Sequence, residues 1–538
     1  MKYFTLVLFC IIHLSASAIE NPNIIIILAD DMGYSDLGCY GGEISTPNLD
    51  KLAGRGVKFT QFYNAARCCP TRASLLTGLY PHQAGVGSMM SDQGVPSYRG
   101  DISSQCVTIA EVLKLSGYRT YMSGKWHVTK HVDRWRTWLS EDEKIYTSKH
   151  NWPLQRGFDE FFGTIHGAGS YYNPSTLTRN NTPVNPEEGF YYTDAISEHA
   201  VKFIRQHVDE DKTDPFFCYI AYTAPHWPLH ALPEDILKYK GKYDKGWDKI
   251  REERMRRMVD MGIIRPEWKL SERDPDIPAW EETGNKDWWA ACMEVYAAMI
   301  DRMDQGIGKV VQALEETGQL DNTLILFLAD NGGCAEVLTD KWKRSLHVPQ
   351  YQKDGTPLKR GNDVSRFPGP EDTYMSYSTE WANASNTPFR MYKHYIHEGG
   401  ISTPLIAHWP SGIKSPNRTT IQVGHIMDIM VTCVDISGAE YPDTFKGEQI
   451  ILSEGQSLRP AFNNKVFKHN PIGWEHHGNR GFRDGRWKLV AKSKEWELYD
   501  IESDRTELRN LASVHPEITR EMIGKYNKWA ARVGVIDW

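Results

Sequence analysis

The chain has little cysteine for its length, nine residues in 538, and they are scattered. A disulfide framework of the kind that staples small secreted domains is therefore excluded as the organising principle. No apolar run reaches the length of a transmembrane helix, no repeat of solenoid length recurs, and no low-complexity tract is present. Positive charge is not in excess either: the formal net charge is −7, which disfavours nucleic acid as a partner and requires any anionic ligand to be held by a local basic cluster.

What is present begins with an export pattern. Lys2 precedes an apolar run, and Ala16-Ser17-Ala18 offers a small-residue cleavage site. Cys10 lies inside the apolar run, which argues against a lipid-anchored cysteine. Residues 1–18 are read as a signal peptide of an exported protein, periplasmic or secreted. Residues 19–440 are read as a catalytic domain, and residues 441–538 as a smaller C-terminal α+β unit.

Ile24-Ile25-Ile26-Ile27-Leu28 is apolar throughout and β-branched, the pattern of a strand buried on both faces; it ends in Ala29-Asp30-Asp31. Leu324-Ile325-Leu326-Phe327-Leu328 repeats the pattern and ends in Ala329-Asp330-Asn331-Gly332. Two central strands finishing in acid-led pairs gather oxygens at the carboxyl edge of a parallel sheet, where open α/β sheets bind ligands. Such oxygens suit a hard divalent cation, and no His/Cys ligand set beside them favours zinc.

Between these strands a helix opens after Thr46, and Thr108 with Glu111 forms a capping box for a second. Strands follow at 118–122 and 216–222, and each delivers basic or imidazole groups at its end: Lys125-Trp126-His127 and Ala224-Pro225-His226-Trp227. Residues 233–269, rich in arginine and glutamate, are read as a solvated helical excursion. Met293, Tyr296, Ile300, Met303 and Ile307 space a core-facing helix over 287–316. A long polar segment, 334–388, leads to Lys393 and to Glu398-Gly399-Gly400, followed by a strand at 404–409. Past residue 441, Asp484-Gly485 marks a hairpin, 496–500 another strand, and 517–532 a last helix. The fold class is α/β: a large, mostly parallel mixed sheet between helices, with a small antiparallel sheet and a helix at the C-terminus.

The most informative stretch is Arg67-Cys68-Cys69-Pro70-Thr71-Arg72-Ala73-Ser74-Leu75-Leu76-Thr77-Gly78. Pro70 suits a first helical turn, so Cys68 sits at a helix N-terminus, where free N–H groups and the helix dipole favour an anion. The order Cys68-x-Pro70-x-Arg72 resembles the signature of type I sulfatases of the alkaline phosphatase superfamily, in which the first cysteine is oxidised to formylglycine. Thr71 fills a slot that is Ser in many members, and Cys69 fills the variable slot and is read as structural. The segments Gly41-Gly42-Glu43-Ile44-Ser45-Thr46-Pro47-Asn48-Leu49-Asp50, Ala224-Pro225-His226-Trp227-Pro228-Leu229 and Met293-Glu294-Val295-Tyr296-Ala297-Ala298-Met299 have the look of the bacterial arylsulfatase branch.

The resemblance implies one Ca²⁺ held by Asp30, Asp31, Asp330 and Asn331, with the formylglycine derived from Cys68 completing the set. It implies Arg72 on the aldehyde hydrate, Lys125, His226 and Lys393 on the sulfate oxygens, and His127 on the hydrate's second hydroxyl. By residue type, Asp330 is able to accept the nucleophile's proton and His226 to protonate the departing alcohol. Many relatives carry Arg where this chain has Ser402, which bears on the outer pocket. The expected partners are a sulfate ester, read as a sulfated oligo- or polysaccharide such as algal ulvan or a host glycan, with activity on aryl sulfates besides, and a formylglycine-generating or other sulfatase-maturing enzyme. Trp126, Trp227 and Trp474, with His476 and His477, are the candidate sugar contacts. The alternatives are a formylglycine-dependent phosphodiesterase or phosphonate hydrolase, against which Asn331, Lys125 and Lys393 speak, and a non-catalytic binder of sulfated glycans.

Overall fold

The computed structural model describes residues 21–133, 144–210, 213–339, 351–352 and 354–538. The segment read as a signal peptide lies outside them. The unbroken aliphatic runs form the centre of a ten-stranded sheet. Strand β1 (Asn23–Ala29) is flanked by two further strands, β7 (Phe216–Ala221) and β8 (Thr323–Ala329). All three run parallel, with Ile26 opposite Tyr219 on one side and Leu326 on the other. Ile24 to Leu28 have no exposed surface, and each is worth about 1.5–3 kcal/mol of burial.

Beyond β7 come β3 (Arg119–Lys125) and β4 (Glu160–Thr164), both parallel, and then β5 (Leu177–Arg179) and β6 (Thr182–Pro183), antiparallel. Beyond β8 the strand Ser402–His408 runs antiparallel, next to β2 (Val57–Tyr63), and the strand Arg418–His425 closes that edge. Mostly parallel with antiparallel insertions is the sheet expected.

Alternate side chains of β1 feed separate cores. Ile25, Ile27 and Ala29 belong to the core built with helices α1 (Pro47–Gly54), α4 (Tyr192–Asp209), α5 (Pro233–Leu237), α6 (Gly246–Asp260) and α7 (Lys286–Glu316). Ile24, Ile26 and Leu28 pack with α2 (Cys68–Thr77) and α3 (Ile109–Leu115), and α3 carries the expected Thr108–Glu111 capping box. No helix among the described residues is long and apolar enough to cross a membrane.

The arginine-rich segment is not simply solvated. Arg254 of α6 is fully buried, with Nη1 on Asp36 Oδ1 at 2.7 Å and Nη2 on Glu43 Oε1 at 2.7 Å. Burial alone would push the Glu43 carboxyl up; the guanidinium holds it down at about 2. Asp36 in turn accepts from Gly33 N and from Tyr296 Oη of α7, both at 2.8 Å, and Tyr296 Oη donates to the carbonyl of Asp31 at 3.2 Å. Arg254 thus braces the loop that leaves β1 with Asp30 and Asp31. Arg254→Met strands two buried carboxylates, and we expect a loss of about 3–5 kcal/mol, read as the drop in chemical-denaturation stability. A loss within about 0.5 kcal/mol would show the brace to be dispensable.

The C-terminal sheet has four strands, Ile472–His476, Asn479–Asp484, Trp487–Ala491 and Glu497–Asp500, all antiparallel, with the helix Pro516–Val533 against it. Its first strand has no counterpart in the sequence reading. Buried charges join it to the main sheet: Lys488 Nζ and Arg505 Nε each lie 2.9 Å from Glu398, and Arg505 Nη2 donates to Ser402 Oγ at 2.7 Å. Ser402 is therefore an interior residue of this junction and forms no part of an outer pocket.

Candidate active site

The carboxyl ends of β1 and β8 bring Asp30, Asp31, Asp330 and Asn331 together, all with essentially no exposed surface. Asp31 adopts a left-handed backbone, φ 63, and its amide donates to Asp330 Oδ1 at 3.2 Å. Asn331 Nδ2 donates to Asp31 Oδ1 at 2.7 Å. Asp30 Oδ1 and Asn331 Oδ1 are buried without any hydrogen-bond partner. Orphaned hard oxygens among converging carboxylates are what a divalent cation such as Ca²⁺ requires, so this donor set fits such an ion.

Cations surround the acids. Arg72, one turn into α2, places Nε at 3.1 Å and Nη2 at 2.8 Å from Asp330 Oδ2, and Nη1 on the carbonyl of Lys125 at 3.0 Å. Lys125, the last residue of β3, bonds Asp30 Oδ2. Lys393 Nζ donates to Asp31 at 2.9 Å and lies 3.4 Å from His226 Nε2, which is itself 3.3 Å from Asp31 Oδ2. Burial, reinforced by Asp330, pushes Asp30 well above the usual carboxylate range. Asp31 goes the other way, because His226 and Lys393 outweigh its burial.

Cys68 opens α2, with Arg67 as the N-cap residue in extended conformation. The Cys68 thiol is held well below its ordinary value, first by the hydrogen bond from Cys69 and then, against its burial, by Lys125 and His127. The ligand atoms of Cys68, Cys69 and His127 lie within 4.8 Å of one another, and Cys69 Sγ is 3.2 Å from His127 Nε2. A purely structural reading of Cys69 omits that contact: it borders both the helix mouth and the imidazole. His127 also has a left-handed backbone, φ 57, and burial lowers its ring to about 3. Gly167 makes room for it, since a Cβ there would come within 2.1 Å of the ring.

All the catalytic and metal candidates from sequence, Cys68, Arg72, Lys125, His127, His226, Lys393, Asp30, Asp31, Asp330 and Asn331, share this one buried site. The sequence reading missed its wall. Glu336 accepts from Arg67 Nη2 and from Trp227 Nε1, each at 2.8 Å, and lies 3.8 Å from Lys393 Nζ. Burial would raise the Glu336 carboxyl, but Lys393 and Arg67 hold it far below the usual range. Its one available signal was an acidic residue just downstream of Asp330-Asn331-Gly332-Gly333.

The tryptophans are not the sugar platforms expected. Trp126 and Trp474 are core residues whose Nε1 groups donate to the carbonyls of Asn151 at 2.7 Å and Asn64 at 2.8 Å. Trp227 is also buried, against Glu336.

Against known proteins, residues 22–439 match the family model described as Sulfatase. Residues 389–530 match the C-terminal model of N-sulphoglucosamine sulphohydrolase. An uncharacterised sulfatase of Schizosaccharomyces pombe is 34% identical, over 96% of this chain and 95% of its own. An arylsulfatase of Klebsiella aerogenes is 31% identical, over 82% and 91%. Among solved structures, Ps i-CgsB in complex with k-i-k-neocarrahexaose superposes with TM-score 0.66 at 26% identity, covering 95% of this chain and 93% of that one.

Proposed function

This chain belongs to the sulfatase family and is a sulfuric ester hydrolase, and from that premise we propose that it is an exported enzyme that desulfates a saccharide, using formylglycine at position 68 and Ca²⁺. The observation that carries the reading is the junction of a buried oxygen cluster with Arg72, Lys125 and Lys393 at the mouth of α2. An aldehyde made from Cys68 supplies a hydrated nucleophile, and Ca²⁺ held by Asp30, Asp31, Asp330 and Asn331 supplies Lewis acidity.

The chain's own groups account for the rest. Lys125 and Lys393 stand on opposite acids, Asp30 and Asp31, so a sulfuryl group entering between them meets a positive charge on each side. Arg72 holds Asp330 with two of its nitrogens and so ties that carboxylate to the helix mouth. His127, neutral when the site is empty of substrate, is placed to take a proton from the side chain at position 68.

His226 donates Nδ1–H to the carbonyl of Trp227 at 2.6 Å, which turns Nε2 toward Lys393 and Asp31. Burial holds the free ring at about 3. An entering sulfate ester brings negative charge that offsets the lysines and favours a proton on Nε2, from which the departing alcohol oxygen is protonated.

The saccharide part of the reading draws on the Ps i-CgsB complex with its hexaose and on an N-acetylglucosamine-6-O-sulfatase of Bacteroides thetaiotaomicron, 24% identical over 91% of this chain. Ulvan and other sulfated algal glycans are the candidates. The export pattern of residues 1–18 supports an exported enzyme that meets such polymers. The test compares sulfate release from a panel of defined sulfated oligosaccharides with release from a phenyl sulfate. We expect at least one saccharide to be preferred, and His226→Ala to lose about 10²–10⁴-fold on it but much less on the activated phenyl ester, whose leaving group needs little protonation. Efficient turnover of aryl esters alone overturns the saccharide, and equal losses on both substrates remove His226 from the acid role.

A further inference from the structure

One group of side chains beside this site has no part in the reaction above. One ring nitrogen from each of His394, His476 and His477 lies within 4.8 Å of the other two. His476 has no exposed surface, and neither of its ring nitrogens has a hydrogen-bond partner; His394 Nδ1 is likewise buried and unpartnered. An imidazole interior on both nitrogens is costly unless something binds there.

The backbone delivers these rings deliberately. His477 and Gly478 are the central residues of the hairpin between strands Ile472–His476 and Asn479–Asp484, with φ 49 and 80. Two successive left-handed residues make a type I′ turn, a place where Asn-Gly is usual, and here it carries a histidine. His394 is left-handed too, φ 88, with its amide donating to the carbonyl of Ala66 at 2.8 Å. The rings are mutually close, with His476 stacked on His477 at 4.3 Å between centroids and edge-on to His394 at 4.9 Å.

We propose that His394, His476 and His477 bind one divalent transition-metal ion of the zinc class, at a site separate from the Asp30, Asp31, Asp330 and Asn331 cluster. Imidazole nitrogens suit zinc as carboxylate oxygens suit calcium, so the two sites select different ions. Zinc bound here would lie about 2.0–2.1 Å from each imidazole nitrogen, so the stacked rings of His476 and His477 would turn out of their near-parallel planes to share it. Ser88 Oγ and His477 Nε2 share a hydrogen bond; with Nε2–H donating to Ser88, Nδ1 keeps that ring's free lone pair. Imidazole is mostly neutral at neutral pH, so the lone pairs are free there. The nearby Arg67 guanidinium is already paired with Glu336 at 2.8 Å and so does not repel the ion at full strength. With three protein ligands, a fourth position remains open beside the catalytic mouth for a water or an anionic substrate oxygen.

The proposal stands on these side chains and does not rest on the saccharide reading. The full-length enzyme, stripped with chelator and reloaded with Ca²⁺, is titrated with zinc chloride alone by calorimetry. The expected result is one further equivalent bound at micromolar Kd or tighter, weakened at least tenfold in His477→Ala, where the ring is exposed, and in His394→Gln. Cobalt(II) in place of zinc should give visible d–d bands without a thiolate charge-transfer band, and the same bands should appear in a Cys68→Ala/Cys69→Ala protein. No further equivalent, undiminished binding in both histidine variants, or loss of the bands with the cysteines each overturns the site.

Discussion

Cys68→Ala should abolish sulfate-ester turnover, with kcat falling at least about 10⁴-fold, while the protein folds and keeps its metal. The side chain is buried at the first residue of α2, and alanine fits that space with only a sulfur lost. Asp30, Asp31, Asp330 and Asn331 are held by β1 and β8, so Ca²⁺ content should stay near one per chain. Cys68→Ser should be equally inactive, since a single hydroxyl cannot replace a two-hydroxyl hydrate. Cys69→Ala, beside His127, should keep measurable activity. Turnover by Cys68→Ala near wild type would refute the nucleophile. Peptide mass analysis of the wild-type segment from its own host makes the complementary check, and an unconverted thiol there would favour a glycan binder over an enzyme.

The parts of the fold that sequence exposes are those buried on both faces. In β1 and β8 every position is interior, so the aliphatic run is unbroken and its ends are marked by the acids. The strand Arg418–His425 lies at the sheet's edge with exposed and buried positions mixed, so it offers no unbroken apolar run and no strand is read there from the sequence. Ile472–His476 carries Gly473 because a Cβ there would strike the Trp529 ring at 2.2 Å, a demand made by a helix far along the chain. The same kind of long-range demand hides Arg254, whose carboxylate partners precede it by more than two hundred residues. It also hides the buried helix Ser378–Ser385 inside the polar segment 334–388.

At the site, residues were legible where chemistry and strand ends coincide. Lys125 ends β3 and His127 follows it, His226 follows β7, and the helix mouth is written in contiguous letters from Cys68 to Arg72. Glu336 and Arg67 were not, because their meaning lies in a pairing across the fold and not in any local pattern. Trp126 and Trp474 misled for the converse reason. Their place near site loops suggested sugar stacking, yet each indole N–H is spent on a backbone carbonyl in the interior.

Asp330→Ala should remove both the metal and the activity. Asp330 is the acid that Arg72 grips with two nitrogens, and its Oδ1 also takes the amide of Asp31, so the carboxylate organises the helix mouth and the far strand at once. Its loss takes an oxygen donor from the cluster and leaves Arg72 with the Lys125 carbonyl and, at 3.8 Å, the Asp30 carboxylate for its buried charge. We expect Ca²⁺ per chain to fall from about one to near zero, kcat/KM on an aryl sulfate to fall at least about 10³-fold, and stability to drop by about 3–5 kcal/mol. Asp330→Asn separates these effects. It keeps the volume and one oxygen donor but loses the charge, so it should fold closer to wild type while still binding Ca²⁺ weakly and turning over poorly. Purified Asp330→Ala with stoichiometric Ca²⁺ and normal aryl sulfate hydrolysis would remove Asp330 from both the metal site and the chemistry.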